Sequence, residues 1–125
     1  MPYSLHISFN HGYIHAAVEG TNTTKNVKQY LSEIQKASEQ YGCKHILIEE
    51  HLEGPGLDTF DVFELVRAQA RYARDNKLKI AYIDLSKGHR RTTVAFAENL
   101  ANILGVNVKV CSGVKAAEQW LDGKD

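Results

Sequence analysis

The residues best suited to chemistry are the carboxylates Glu49, Glu50 and Asp84, with the imidazoles of His51 and His89 close by in the chain. A carboxylate held beside an imidazole can take or give a proton near neutral pH, which is the material of general acid and base work. The usual companions of such chemistry are missing. The 125 residues contain no nucleophile elbow, no catalytic Cys-His signature and no spaced metal motif. Charged residues are also what any strand end facing water contains, so no residue is assigned as catalytic and the expectation is a protein that is not an enzyme.

A second cluster, Lys87, Gly88, His89, Arg90 and Arg91, places a glycine and several cations before or within the first turn of a helix. Exposed amides and cations together would suit an anion. Cations at a helix N-terminus oppose its dipole, however, and charge runs usually mark solvated surface. The favoured reading is a basic loop facing the acidic Glu49, Glu50 and Glu53, with an anion site as its alternative. His6 and His15 fall on the polar face of a hairpin as diagonal neighbours. A zinc site needs three or four ligands around one point, so no metal is assigned. Without a Walker motif or a glycine fingerprint, no nucleotide and no other cofactor is expected.

These residues are positioned by the stretch from Lys44 to Val66, KHILIEEHLEGPGLDTFDVFELV. His45 to Ile48 reads as a buried strand that stops in charge at Glu49, Glu50 and His51. Asp58 is the expected N-cap of the next helix, with Asp61 at its third position and Leu57 and Val62 as a hydrophobic staple. In open α/β sheets the functional surface lies beyond the carboxyl ends of the strands. The expected binding residues are therefore Glu49, Glu50, His51, Leu52, Glu53, Leu57, Asp58 and Phe60, read as apolar anchors ringed by charge on an exposed loop.

The bounds agree with a binding role. A chain of this length can bury roughly two thirds of its unfolded surface without a staple, so one domain spanning residues 1–125 is expected. Fifteen basic and fifteen acidic residues cancel, leaving no global field for nucleic acid. No apolar run approaches membrane-spanning length and the N-terminus alternates, so the expected location is cytoplasmic. Cys43 and Cys111 fall at the start of one strand and the end of another, too far apart to bridge.

The other elements follow from periodicity. Tyr3, Leu5, Ile7 and Phe9 alternate with polar residues, and a turn at His11-Gly12 pairs Phe9 with Ile14, Ile7 with Ala16 and Leu5 with Val18. Val27, Leu31, Ile34, Ser38 and Tyr41 mark a helix ending at Gly42. Phe60, Val62, Phe63, Leu65, Val66, Ala70 and Ala73 predict the most buried helix of the set. KIAYID at Lys79 to Asp84 is a strand, Val94 to Leu104 a helix with Phe96, Leu100 and Ile103 on its apolar face, and Val106 to Val110 the last strand. Ser112 caps a final helix whose Val114, Ala117, Trp120 and Leu121 dock on the sheet. The order ββαβαβαβα predicts an α/β fold, a mostly parallel five-stranded sheet that begins with an N-terminal β-hairpin, over one core that includes Phe9, Leu100 and Trp120.

This element order, with a capped helix after the second parallel strand and a C-terminal Ala-Glu-Gln-Trp-Leu helix, resembles the STAS domain, the fold of anti-sigma-factor antagonists and sulphate-transporter tails. The resemblance spans nearly the whole chain. In antagonists of that family a Ser or Thr preceded by Asp at this helix start is phosphorylated, and the phosphate ejects the partner. The matching residues here are Asp58 and Thr59, which makes Thr59 the candidate phosphoacceptor. Phe60-Asp61 stands where the family usually has a small residue and glycine, and a phosphate on Thr59 would lie between two carboxylates. The resemblance implies a non-enzymatic regulatory module with a protein partner, acting alone or as a homodimer. Because relatives of that fold hold lipophilic molecules, the alternative is a carrier of a small lipophilic or anionic ligand.

Overall fold

A computed structural model describes residues 3–10, 12–54, 57–85 and 91–123. The elements run β1 (Tyr3–Asn10), β2 (Tyr13–Thr21), α1 (Thr24–Tyr41), β3 (His45–Glu53), α2 (Thr59–Asp75), β4 (Lys79–Asp84), α3 (Arg91–Ile103), β5 (Asn107–Val110) and α4 (Val114–Leu121). The five strands lie in one sheet in sequence order. The hairpin has the register its alternation predicts, with Phe9 opposite Ile14, Ile7 opposite Ala16 and Leu5 opposite Val18. From β2 to β5 every neighbouring pair is parallel. The antiparallel ladder is as long as the longest parallel one, so the sheet is mixed, where a mostly parallel one was expected.

Strands laid down in sequence order by crossovers of one hand keep their crossover helices on one face. Side chains of α1, α2 and α3 accordingly share a core with Ile14, Ala16 and Val18 of β2 and Ile46, Ile48 and Leu52 of β3. The helix after the last strand covers the opposite face, where Ala117 and Leu121 of α4 meet Tyr13, Leu47, Ala81 and Ile83. There are thus two cores, not one, and Trp120 belongs to the second. Tyr13 donates its hydroxyl to Glu118, and Lys79 Nζ donates to the carbonyl of Trp120 at 2.6 Å while lying 4.7 Å from the centre of its ring. A cation at the last carbonyls of α4 offsets their partial negative charge.

Local signals set the helix ends. Thr23 caps α1, accepting from the Asn26 amide at 3.1 Å, and Gly42 ends it in the left-handed region at φ 60°. Asp58 caps α2 as its spacing predicts, accepting from the Asp61 amide at 2.8 Å. Other expectations need correction. Gly113, not Ser112, is the N-cap of α4. Helix α1 buries more of its side chains than α2, whose Phe60 and Phe63 are exposed. Ile103 is exposed too, and Tyr41 leaves the core to stack on the half-exposed Phe9. An apolar residue needs a facing element to be buried, and three helices on one face leave each helix with an outer side. Both cysteines are buried, and they form no disulfide.

Candidate binding pocket

The strand assumed to stop at Ile48 continues to Glu53, and this extension determines the site. Successive side chains of a strand point to opposite faces. Ile46, Ile48, Glu50 and Leu52 therefore face the three crossover helices, and Leu47, Glu49, His51 and Glu53 face the side of α4. Leu52 is fully buried, and Glu50 is only 5% exposed. The expected exposed loop does not begin at Glu49: its first five residues are strand, and Leu52 is a core residue and not a loose anchor. Leu57 is half-buried against the same core, while Glu53, Asp58, Thr59 and Phe60 are exposed.

Glu49 does not converge with Glu50 and Asp84. Glu49 accepts from His15 Nε2 on one oxygen and from His51 Nε2 on the other, each at 2.9 Å. The bond from His51, followed by that from His15, holds the Glu49 carboxyl below its ordinary range, outweighing the partial burial that pushes the other way. Glu50 lies on the other face, level with Asp84 on the neighbouring strand. The acid and base material that is contiguous in the sequence is thus divided between two faces of the sheet. His6 pairs with Ala17 and His15 with Ser8, so these two histidines are diagonal neighbours. Among the described residues no group of three or more His, Cys, Asp or Glu side chains is arranged to hold a metal ion. Lys87, Gly88, His89 and Arg90 lie outside the described residues, and Arg91 is the first residue of α3.

Glu50 marks the polar end of a cavity of about 250 Å³ between the sheet and α1, α2 and α3. Ile48, Ile80 and Val108 form its floor, Val27, Tyr30 and Leu31 one wall, and Val62, Leu65 and Val66 another. The room comes from side-chain volume: at Ala70, Ala73, Ala97 and Ala101, inward positions of α2 and α3 carry alanine where a packed core would hold a larger residue. Tyr30 from α1 donates its hydroxyl to one oxygen of Glu50, and Tyr82 from β4 donates to the other. A buried carboxylate is costly unless hydrogen-bonded, and two convergent phenols meet that need. Burial, reinforced by the charge of Glu50, raises both phenols well above the ordinary tyrosine range, so they keep their protons and donate. At the same end Glu98 accepts from the Val110 amide at 2.7 Å.

Sequence reasoning named Glu50 but not its setting, and it missed Tyr30 and Tyr82 altogether. Tyr30 follows Val27 by three residues and so shares its inward face, a signal the heptad-like stripe through Leu31 obscured. In the sequence alone the alanines of α2 and α3 read as ordinary apolar-face residues, although four small residues facing one strand surface amount to a volume deficit. No family model and no curated protein matches the chain, so the functional reading rests on this geometry.

Proposed function

We propose that this chain is a non-enzymatic binding domain that carries a small, largely apolar molecule between its sheet and α1, α2 and α3. The observation that carries the reading is the cavity itself, apolar along its length with one buried, hydrogen-bonded carboxylate at the carboxyl ends of the parallel strands. Ligand sites are concave, mostly apolar and furnished with a few convergent polar groups, and this one falls just below their usual volume. A cavity of roughly 150 Å³ already takes benzene, so the occupant is a molecule of modest length. The described lining offers tyrosine and threonine hydroxyls but no histidine, cysteine or lysine, which favours holding a molecule over transforming it.

The second reading is a regulatory module of the STAS kind, supported by the element order and by Phe60, which is 68% exposed at the start of α2. Phe60 and the exposed Thr59 adjoin Leu57 and Val62 of the cavity wall, so a partner docked there would sense how the pocket is filled. Of the binding residues expected between Glu49 and Phe60, Glu50 and Leu52 lie in the interior, which favours the carrier reading.

Mass spectrometry of the intact protein, isolated gently from its own cells, tests the carrier reading. The expected result is a bound small molecule that is lost in Ala97→Phe, which fills the cavity. An empty protein, together with no saturable binding of 1-aminonaphthalene to purified material, would sink it.

A further inference from the structure

The cavity is long in one direction, and two elements measure it independently. Along α2 its lining runs from Val62 to Ala73, roughly 16 Å of helix at about 1.5 Å per residue. Along the sheet it runs from Val106 to Glu50. Val108, Ile80 and Ile46 are level in the ladder, so these two ends lie roughly 20 Å apart in the strand direction. A volume of about 250 Å³ drawn out over roughly 16 Å has a mean cross-section of about 15 Å². The space is a slot and not a chamber.

Its two ends differ. Asn22, Thr93 and Glu98 lie toward the carboxyl ends of the strands, where Leu57 and Val94 are partly exposed. At the other end Ala70, Ala73, Ala101 and Val106 are only 5–8% exposed and belong to the main core. This is the blind end. It is also fixed, because the Ala73 carbonyl accepts from the Leu78 amide and the Ala101 carbonyl from the Val106 amide, both at 2.9 Å. Each bond ties the end of a helix to the chain entering the next strand, so neither alanine can swing aside cheaply.

We propose that the pocket takes an elongated, unbranched apolar molecule lying along α2 with its apolar end against Ala73, Ala101 and Val106, and that the two alanines set the length it admits. The inference rests on the carrier reading and names the shape of its ligand. With C–C bonds of about 1.5 Å laid in zigzag, the slot holds a chain on the order of ten carbons. Each methylene added inside the slot removes apolar surface from water, whereas one beyond the blind end must stay in water or displace a fixed helix end. Affinity should therefore climb with length and then stop.

The probes are 1-hexanol, 1-octanol, 1-decanol and 1-dodecanol, titrated calorimetrically into the parent protein, Ala101→Leu and Ala73→Leu. In the parent, Kd should fall about fourfold per methylene as far as 1-decanol, and 1-dodecanol should gain less than about twofold over it. In Ala101→Leu the blind end is moved inward. Binding of 1-hexanol should stay within about threefold of the parent, while 1-decanol should bind no better than 1-octanol. Ala73→Leu advances the same end from the other helix and should give the same pattern if Ala101→Leu does not fold. A gain that continues undiminished to 1-dodecanol in the parent, or a leucine variant that weakens 1-hexanol and 1-decanol by the same factor, overturns the length limit and leaves the carrier reading standing. If no alcohol binds the parent, the carrier reading fails and this inference fails with it.

Discussion

Glu49 and Glu50 are consecutive in the chain and point through opposite faces of the sheet, one into a pair of histidines and the other into an apolar cavity. Their separation follows from strand geometry alone, once β3 is seen to run to Glu53. It removes the acidic pair as a unit for acid and base work and leaves each carboxylate to a separate environment.

The Glu50 environment should be measurable as a coupled network. Tyr30→Phe and Tyr82→Phe each take one donor from a buried carboxylate, at a cost of about 1–3 kcal/mol in urea unfolding. Because both serve the same acceptor, the double change should depart from the sum of the single ones by at least about 0.5 kcal/mol. Adding Glu50→Leu to the double variant should recover much of the loss, since an apolar isostere is often as stable as a buried charge. Single losses below about 0.5 kcal/mol would mean that the phenols do not hold the carboxylate.

Leu52 and Phe60 reverse the roles read from the sequence, and a pair of truncations shows it. Leu52→Ala should destabilise by about 2–5 kcal/mol, because a fully buried side chain leaves a void. Phe60→Ala should change stability by no more than about 0.5 kcal/mol, since most of the ring is already in water. Comparable costs at the two positions would contradict the placement of β3.

What was legible in the sequence was local. The hairpin register follows from alternation and a two-residue turn, and the caps at Asp58 and Gly42 follow from the chemistry of helix ends. Lys79–Asp84 stands out as a strand because it is short, apolar and bounded by charge. The course of β3 is also written in the chain, since Ile48, Glu50 and Leu52 keep period two, but the polar run Glu49, Glu50 and His51 reads as a strand end. The pocket was not legible, because it depends on which helix faces which strand. Four alanines on two helices look like ordinary helix formers until both helices are laid on the same floor. Tyr30 and Tyr82 are 52 residues apart and meet only through Glu50.

Gly42 offers a clean test of one local signal. It sits at φ 60° and ψ 31°, and a Cβ added there would meet no atom within 4 Å. Gly42→Ala should therefore cost about 1–2 kcal/mol through backbone strain alone. Gly42→Asn should cost less, because asparagine tolerates the left-handed region at helix ends. Thermal unfolding of the two variants beside the parent is sufficient, and equal losses would argue against a left-handed cap.

Glu49 sets the acid side of the stability profile. Its carboxyl is held below the ordinary value of 4.5, chiefly by the bond from His51 and then by that from His15. A group whose pKa is lower in the folded than in the unfolded chain stabilises the fold above the unfolded value. That stabilisation is lost as pH falls through the folded value, because the unfolded chain takes up the proton first. Glu49 is partly exposed, as are both histidines, so the contribution at neutral pH is on the order of 1 kcal/mol, or about 4 °C in Tm. Glu49→Gln should lower Tm by that amount near neutrality, and its curve should close on the parent's as pH drops below the ordinary carboxylate range. His51→Ala should shift the parent's acid limb upward in pH more than His15→Ala does, following the order of the two bonds. If parent and Glu49→Gln remain parallel down the whole acid limb, the Glu49 carboxylate is not held by its histidines.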